Sequence, residues 1–571
     1  MPYRAPVEDY NFLFEHVVGL DALRATSRFE DATADVTSAI LAEAGKLCEE
    51  VLAPLQRVGD KHPAHLENGV VRTSPGFAAG YAAIAQGGWV GISADPAYGG
   101  MGLPVALTAA VGEMMSGACL ALQLAPMLSQ GQIEALEHHA SDALKAVYLP
   151  KLISGEWTGT MNLTEPQAGS DVGALSTKAE ERGDGTYAVT GQKIYITWGD
   201  HDLGGNVCHL VLARIVGAPA GVRGISLFLV PKLIPDADGN PGLRNALGVV
   251  SLEHKMGLHG SPTCVMQYDG ATGWLVGERE GGMAAMFTMM NNARLGVGAQ
   301  GIGVGDAAFQ HALAYAQDRK QGKTAAPAEK DSILGHADVR RMLTTMKAEL
   351  FAARAIAVSN AVAIDMANAT GEKTWKARAA LLTPITKAFA TDTGIAVADM
   401  GLQVHGGMGF VEETGAAQFC RDVRVTAIYE GTNGIQAMDL VARKMADGGE
   451  AALALLDEIA EDIEAARATF PRLAGDVWEA CEGMREATEW LVAQTDLQNR
   501  FAGAVPYLHA FARVLGAHLH LKAALADRGG AREKLARFYI QRILPEHVAL
   551  LAHAQAGAED LYALTADELA I

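Results

Sequence analysis

Tyr187-Ala188-Val189-Thr190-Gly191 is the first of four short apolar runs whose texture decides the fold. The others are residues 210–215 (LVLARI), 225–230 (ISLFLV) and 263–268 (TCVMQY), each bounded by Gly, Pro, Asp or Asn. Runs of this length between turn formers read as strands, so a compact β domain is expected over 158–281. Outward from it the period changes. Over 35–52, Ile40, Leu41, Ala44, Leu47, Cys48, Val51 and Leu52 recur at three and four, predicting an amphipathic helix that stops near Pro54. Helical patterning continues through 77–85 and 107–122, around the glycine-rich loop 96–102. The first 150 residues are therefore expected to be all-helical.

After Gly282 the helical period returns over 283–316, 338–369 and 373–400, with a polar loop near 322–331. A last helical segment, 448–571, is broken at Pro471, Pro506, Gly529-Gly530 and Pro545. The fold class expected is mainly α with a central β domain, in four parts: 1–157, 158–281, 282–447 and 448–571. This order is not a Rossmann alternation, and no GxGxxG stands at a strand-to-helix turn. The cluster Gly301-Ile302-Gly303-Val304-Gly305 sits in a helical pattern, where close helix packing explains it better than a phosphate loop.

Composition excludes several classes. With 571 residues the chain exceeds one core. Forty-six basic against 66 acidic side chains give a net charge of −20, which disfavours nucleic acid and anionic lipid. No run of about eighteen apolar residues is free of charges and turn formers, so no integral membrane association is expected. The start MPYRAPVEDYNF lacks a basic, then apolar, secretory pattern, giving a cytoplasmic expectation. Six scattered cysteines without a CxxC pair read as buried thiols rather than a disulfide or zinc framework.

The chemistry-bearing segments are individually modest. Residues 161–171 (MNLTEPQAGSD) make a turn with two small hydroxyls and backbone donors, able to ring a planar polar ligand or simply to turn. Residues 191–199 (GQKIYITWG) read as a strand bearing an aromatic and a hydroxyl. Ile428-Tyr429-Glu430-Gly431-Thr432 places a carboxylate beside a glycine and a hydroxyl, which in isolation is most simply a solvated turn. His509, His518 and His520 invite a metal reading, but they lack a helical i, i+4 pair with an acidic partner, so no metal is expected. The acidic run 450–464 reads as a solvated helix face.

Taken in order, 161–171, 191–199, Arg319-Lys320-Gln321-Gly322, 403–409 (QVHGGMG), Arg421-Asp422 and 428–436 (IYEGTNGIQ) resemble the acyl-CoA dehydrogenase family over roughly residues 35–447. The N-terminus, residues 286–300 and the extra C-terminal helices are most similar to the subgroup containing 3-methylmercaptopropionyl-CoA dehydrogenase. The resemblance implies an N-terminal helical domain, a middle β-barrel-like domain and a C-terminal helical bundle, plus the extra helical domain. It also implies FAD, with its ring between the β domain and the C-terminal helices, and an acyl-CoA substrate.

By the same resemblance Leu163 and Thr164 hold the flavin pyrimidine edge, Ile196 and Thr197 support the ring near N5, and Thr432 is a further flavin contact. Tyr195 stands where the family commonly has tryptophan. Arg319, Gln321, Gln403, Gly406 and Gly407 match positions reaching the FAD pyrophosphate and adenosine of a neighbouring subunit; Arg forks suit a pyrophosphate and glycines let amides approach it. Ser170, Arg294 and Gly431 match substrate-side positions, although Arg294 by itself reads as a helix-surface charge. Glu430 matches the catalytic base. The alternative base position, before Arg294, is Ala293, and a nitroalkane-oxidising branch would carry aspartate at 430. The implied reaction is α,β-dehydrogenation of an acyl-CoA to a trans-2-enoyl-CoA, with electron-transfer flavoprotein as acceptor and a homodimer as the assembly. An acyl-CoA oxidase and a flavin-bearing nucleic-acid-binding protein are the rival readings. The substrate is expected to be 3-(methylthio)propanoyl-CoA or a medium or long straight chain.

Overall fold

The computed structural model describes residues 3–324 and 332–571, so most of the polar loop expected at 322–331 lies outside the described residues. These residues form two compact units, one of Tyr3–Ala42 with Val297–Ile571 and one of Glu43–Gly296.

In the Glu43–Gly296 unit the strands are β1 (His65–Glu67), β2 (Val70–Arg72), β3 (Thr158–Asn162), β4 (Lys178–Glu181), β5 (Tyr187–Thr197), β6 (Val207–Ile215), β7 (Ile225–Pro231), β8 (Leu233–Pro235), β9 (Pro241–Arg244), β10 (Leu247–Leu252) and β11 (Thr263–Val276). Pairing runs β11–β5–β4–β6–β7 and returns to β11, which closes a barrel; β10 extends it beside β11, and β3 lies parallel to β6. Closure removes the exposed edges that an open sheet would leave. Alternate residues of these strands, among them Val189, Ile196, Val211, Phe228, Met266 and Tyr268, fill the interior.

The expectation of an all-helical first 150 residues is corrected by the hairpin β1–β2. Its turn is Asn68-Gly69, both at positive φ (50° and 75°), the pairing that tight two-residue hairpins favour. The helix expected over 35–52 is an α-helix, Ala34–Lys46, that widens into a π-helix over Leu47–Leu52. The helix expected over 107–122 runs instead from Val105 to His139, with a kink at Cys119.

In the other unit the helices Ala337–Thr370 and Lys373–Val404 pack together, and the Gly301 region meets the second of them closely. A Cβ on Gly301 would stand 2.7 Å from Ala390 O, and one on Gly394 would stand 2.2 Å from Gly301 O. The glycine cluster thus serves helix approach. Six further helices follow, from Glu450–Arg467 to Glu546–Ala554. Their central member, Ala504–Ala526, packs on Ala337–Thr370, on Lys373–Val404 and on Asn433–Ala442, so the extension is built into this unit's core. Asp9 ties three segments together by ion pairs to Lys347 (2.9 Å), Arg354 (3.0 Å) and Arg532. Burial alone would raise the Asp9 pKa, but these three cations hold it well below the usual carboxylate range.

Five cysteines are buried and Cys420 is half-buried. Among the described residues two helices, Val105–His139 and Ala337–Thr370, are long and apolar enough to cross a membrane by length and composition, but most of each apolar window (78% and 83%) is buried in the protein.

Candidate active site

Within the Glu43–Gly296 unit, the loop after β3 and the strand β5 are joined by Ile194 N–H donating to Thr164 O at 2.9 Å. Leu163, Thr164, Ile196 and Thr197 are therefore neighbours in space. The loop is held by a buried ion pair, Lys193 Nζ to Glu165 Oε1 at 2.8 Å, and Lys193 also donates to Leu163 O at 2.9 Å. Glu165 further accepts from Ser176 N–H and O–H, Thr177 N–H and O–H, and Gln167. Burial opposes the charge on Glu165, yet Lys193 and these donors bring its pKa down to about 2. Burial brings Lys193 down to about 8, against the pull of Glu165. Lys193 was not singled out in the sequence; its signal was a lysine at an inward position of β5.

The register of β5 against β11 shifts between the Lys193–Met266 and Ile196–Cys264 pairs. This bulge turns Tyr195 outward at φ 60°, with 61% of its surface exposed, and returns Ile196 to the barrel interior. The Ile196 side chain is thereby committed to the core, which leaves only its main chain to face a ligand. Trp198 is fully buried and donates from Nε1 to Ala121 O at 3.1 Å, so it does not replace the family's tryptophan at 195. Ser170 lies exposed on the loop, and Asp171 Oδ1 caps Gly173 N–H at 3.0 Å. Arg294 is buried and donates to Asn291 Oδ1 at 3.3 Å, which removes the helix-surface reading.

In the other unit, Glu430 occupies the left-handed region at φ 56°, followed by Gly431 at 84°. For glutamate this conformation costs about 1–2 kcal/mol and persists only where the surroundings impose it. They do so here. Lys387, buried completely, donates to Gly431 O at 2.9 Å and to Asn433 Oδ1 at 2.8 Å. Buried Gln436 donates to Glu430 O (3.2 Å) and Gly431 O (3.3 Å). Thr432 caps the helix Asn433–Ala442 by accepting from Ile435 N–H, which leaves its hydroxyl hydrogen available to a ligand. Tyr429 donates to the buried Gln300, and burial together with the charge of Glu430 raises its pKa. Lys387 lies outside every chemistry-bearing stretch singled out in the sequence, whereas Gln436 and Gln300 close the stretches 428–436 and 286–300 without having been given a role there.

Gln403, Gly406 and Gly407 lie on the exposed turn ending the Lys373–Val404 helix, and Arg319 and Gln321 are exposed at the end of Gly282–Asp318. The structure brings these two groups together, because the His405 ring packs on Tyr315 at 4.5 Å and on His311 at 4.7 Å. His405 Nδ1 pairs with Gly401 O at 2.7 Å, and burial lowers its pKa. Nothing lies within 4 Å of a Cβ built on Gly406 or Gly407, and Gly406 has φ 59°. Open glycine backbone beside an arginine is a donor set that fits a pyrophosphate, as FAD requires. The three histidines that invited a metal reading have protein partners: His509 with Asp392, His518 with Asp462 and His520 with Ala348 O.

Family models match the acyl-CoA dehydrogenase N-terminal domain over residues 35–156, its middle domain over 160–271 and its C-terminal domain over 280–446. The chain belongs to the acyl-CoA dehydrogenase family. A fourth model, acetyl-CoA dehydrogenase C-terminal like, matches 455–565. The chain is 43% identical to 3-methylmercaptopropionyl-CoA dehydrogenase of Ruegeria pomeroyi, covering 96% of this chain and 97% of that one. It is 35% identical to a broad-specificity linear acyl-CoA dehydrogenase of Mycobacterium tuberculosis, covering 89% and 84%. An acyl-CoA dehydrogenase from Bacillus anthracis, solved with FAD, shares the fold at a TM-score of 0.76 and 20% identity, covering 93% and 89%. As a family member, this acyl-CoA dehydrogenase is an FAD-dependent oxidoreductase.

Proposed function

We propose that this acyl-CoA dehydrogenase converts 3-(methylthio)propanoyl-CoA to 3-(methylthio)acryloyl-CoA, with Glu430 as the base. The observation that carries the substrate is the 43% identity with the Ruegeria pomeroyi enzyme over almost the whole chain. The base assignment rests on the held turn at Glu430.

A thioester α-proton is weakly acidic, so its removal needs a positioned carboxylate and a polarised carbonyl. Glu430 takes the α-proton, and its backbone N–H polarises the thioester oxygen. Bound FAD supplies the acceptor for the β-hydride. Leu163, Thr164, Ile196, Thr197 and Thr432 would hold the flavin, Arg319, Gln321, Gln403, Gly406 and Gly407 would hold the pyrophosphate and adenosine of a neighbouring subunit's FAD, and the assembly proposed is a homodimer. Exposed Phe410, Met408 and Val411 beside Gly406 support that interface. Ser170, Arg294 and Gly431 serve the acyl-CoA, and electrons leave to electron-transfer flavoprotein.

A second reading, straight-chain acyl-CoA as substrate, is favoured by the Mycobacterium tuberculosis relative. Turnover with the methylthio thioester against a series from butanoyl- to hexadecanoyl-CoA separates the two. The methylthio substrate is expected to give the highest kcat/KM; equal or higher values for the long straight chains exclude it.

A further inference from the structure

Glu430 stands on a turn that no regular helix or sheet stabilises, so the hydrogen bonds around that turn set the direction of its carboxylate. They continue beyond Lys387. Asn433, two residues after Gly431, receives Lys387 Nζ on Oδ1 and donates from Nδ2 to Asp392 Oδ1 at 2.7 Å and to Thr391 Oγ1 at 3.0 Å. The second oxygen of Asp392 receives His509 Nε2 at 3.1 Å. His509 belongs to the Ala504–Ala526 helix of the C-terminal extension, and that helix packs directly on the Asn433–Ala442 helix. His509 is half-buried, and its ring is seated by an edge contact with Phe389, centroids 6.2 Å apart.

We propose that His509 is a positioning residue for the dehydrogenation: through Asp392, Asn433 and Lys387 it fixes the backbone that aims the Glu430 carboxylate. The extension therefore contributes to catalysis. This rests on the reading of Glu430 as the base. Each link uses a distinct atom: His509 occupies Asp392 Oδ2, which leaves Oδ1 for the Asn433 amide; this orients the Asn433 carbonyl toward Lys387, whose ammonium also holds Gly431 O. Without His509, Asp392 is free to rotate and the chain slackens at its outer end. Misplacement of a catalytic group by about 1 Å costs up to about a hundredfold in rate.

The test uses the full-length FAD-loaded enzyme. His509→Ala is expected to lower kcat about three- to tenfold, to leave KM within twofold and FAD content unchanged, and to enlarge the kinetic isotope effect with α-deuterated substrate. His509→Gln, whose amide can donate to Asp392, is expected to recover most of kcat. Asp392→Ala is expected to match or exceed His509→Ala, and the double variant to be no slower than Asp392→Ala, because the residues act in one chain. The proposal is overturned if kcat and the isotope effect of both single variants equal those of wild type, or if kcat falls only in proportion to lost FAD. Glu430→Gln, run alongside, separates the two failures. If it turns over normally the base assignment fails, and with it the positioning role; if it is inactive while His509→Ala is unaffected, only the positioning role fails.

Discussion

Lys387 Nζ lies 2.9 Å from the carbonyl oxygen of Gly431, and the lysine is completely buried. A buried ammonium is costly unless it is well hydrogen-bonded, so its place beside the Glu430 turn is a constraint that the fold maintains. Lys387→Met is expected to leave Gly431 O and Asn433 Oδ1 only their longer bonds from Gln436 and Thr391, both 3.3 Å, at a cost of about 1–3 kcal/mol in total. A thermal melt should register the loss, and steady-state kinetics should show kcat reduced about tenfold or more. Wild-type kcat in a folded Lys387→Met enzyme would show that the turn is held without it.

The Glu165–Lys193 pair makes the loop carrying Leu163 and Thr164 sensitive to acid. The folded-state pKa of Glu165, about 2, lies below its ordinary 4.5, so its stabilising contribution is complete above about 4.5 and is lost as pH falls toward about 2. Glu165→Gln is expected to flatten that part of the acid dependence of Tm. At neutral pH it should cost about 3–5 kcal/mol by leaving Lys193 buried without its partner, with weaker FAD retention.

Glu134 has the opposite sign. On the Val105–His139 helix, burial raises its pKa to about 7, above the ordinary 4.5. The folded state then holds its proton more tightly than the unfolded chain, which favours folding below about 4.5 and stops doing so as pH rises through about 7. Thermal melts of Glu134→Gln should therefore exceed wild type well above that upper value and converge with it in acid. A difference that does not vary with pH would assign Glu134 no such titration.

Phe410 is 88% exposed on the turn that carries Gly406 and Gly407. Phe410→Asp is expected to yield a monomer by light scattering and to lower FAD content, since the proposed pyrophosphate contacts cross between subunits. A dimer with full FAD would place the interface elsewhere.

Much of the fold is legible in the sequence because its signals are local. The four strand runs carry their own turn formers, and the helices after Gly282 keep a long unbroken period. The β1–β2 hairpin escaped because its strands have three residues each, although Asn68-Gly69 advertised the turn. The kink at Cys119 lies between Ser116-Gly117 and Pro126, residues that bend helices without marking in advance where the bend falls. The site divides in the same way. Glu430-Gly431-Thr432 is a readable motif, whereas Lys387 lies more than forty residues earlier on a different helix, inside a buried stretch where a lysine looks like an exception to the pattern. Its purpose exists only in three dimensions. Tyr195 and Trp198 show the reverse: both are conspicuous in sequence, and a bulge sends one to solvent and the other into the core.

The most direct test of the central claim, that Glu430 is the base, is anaerobic mixing of FAD-loaded Glu430→Gln with acyl-CoA while flavin absorbance is followed. Wild type is expected to bleach promptly. The variant is expected to retain FAD and to bleach slower by about 10²- to 10⁴-fold. Bleaching at the wild-type rate would contradict the assignment and place the base elsewhere.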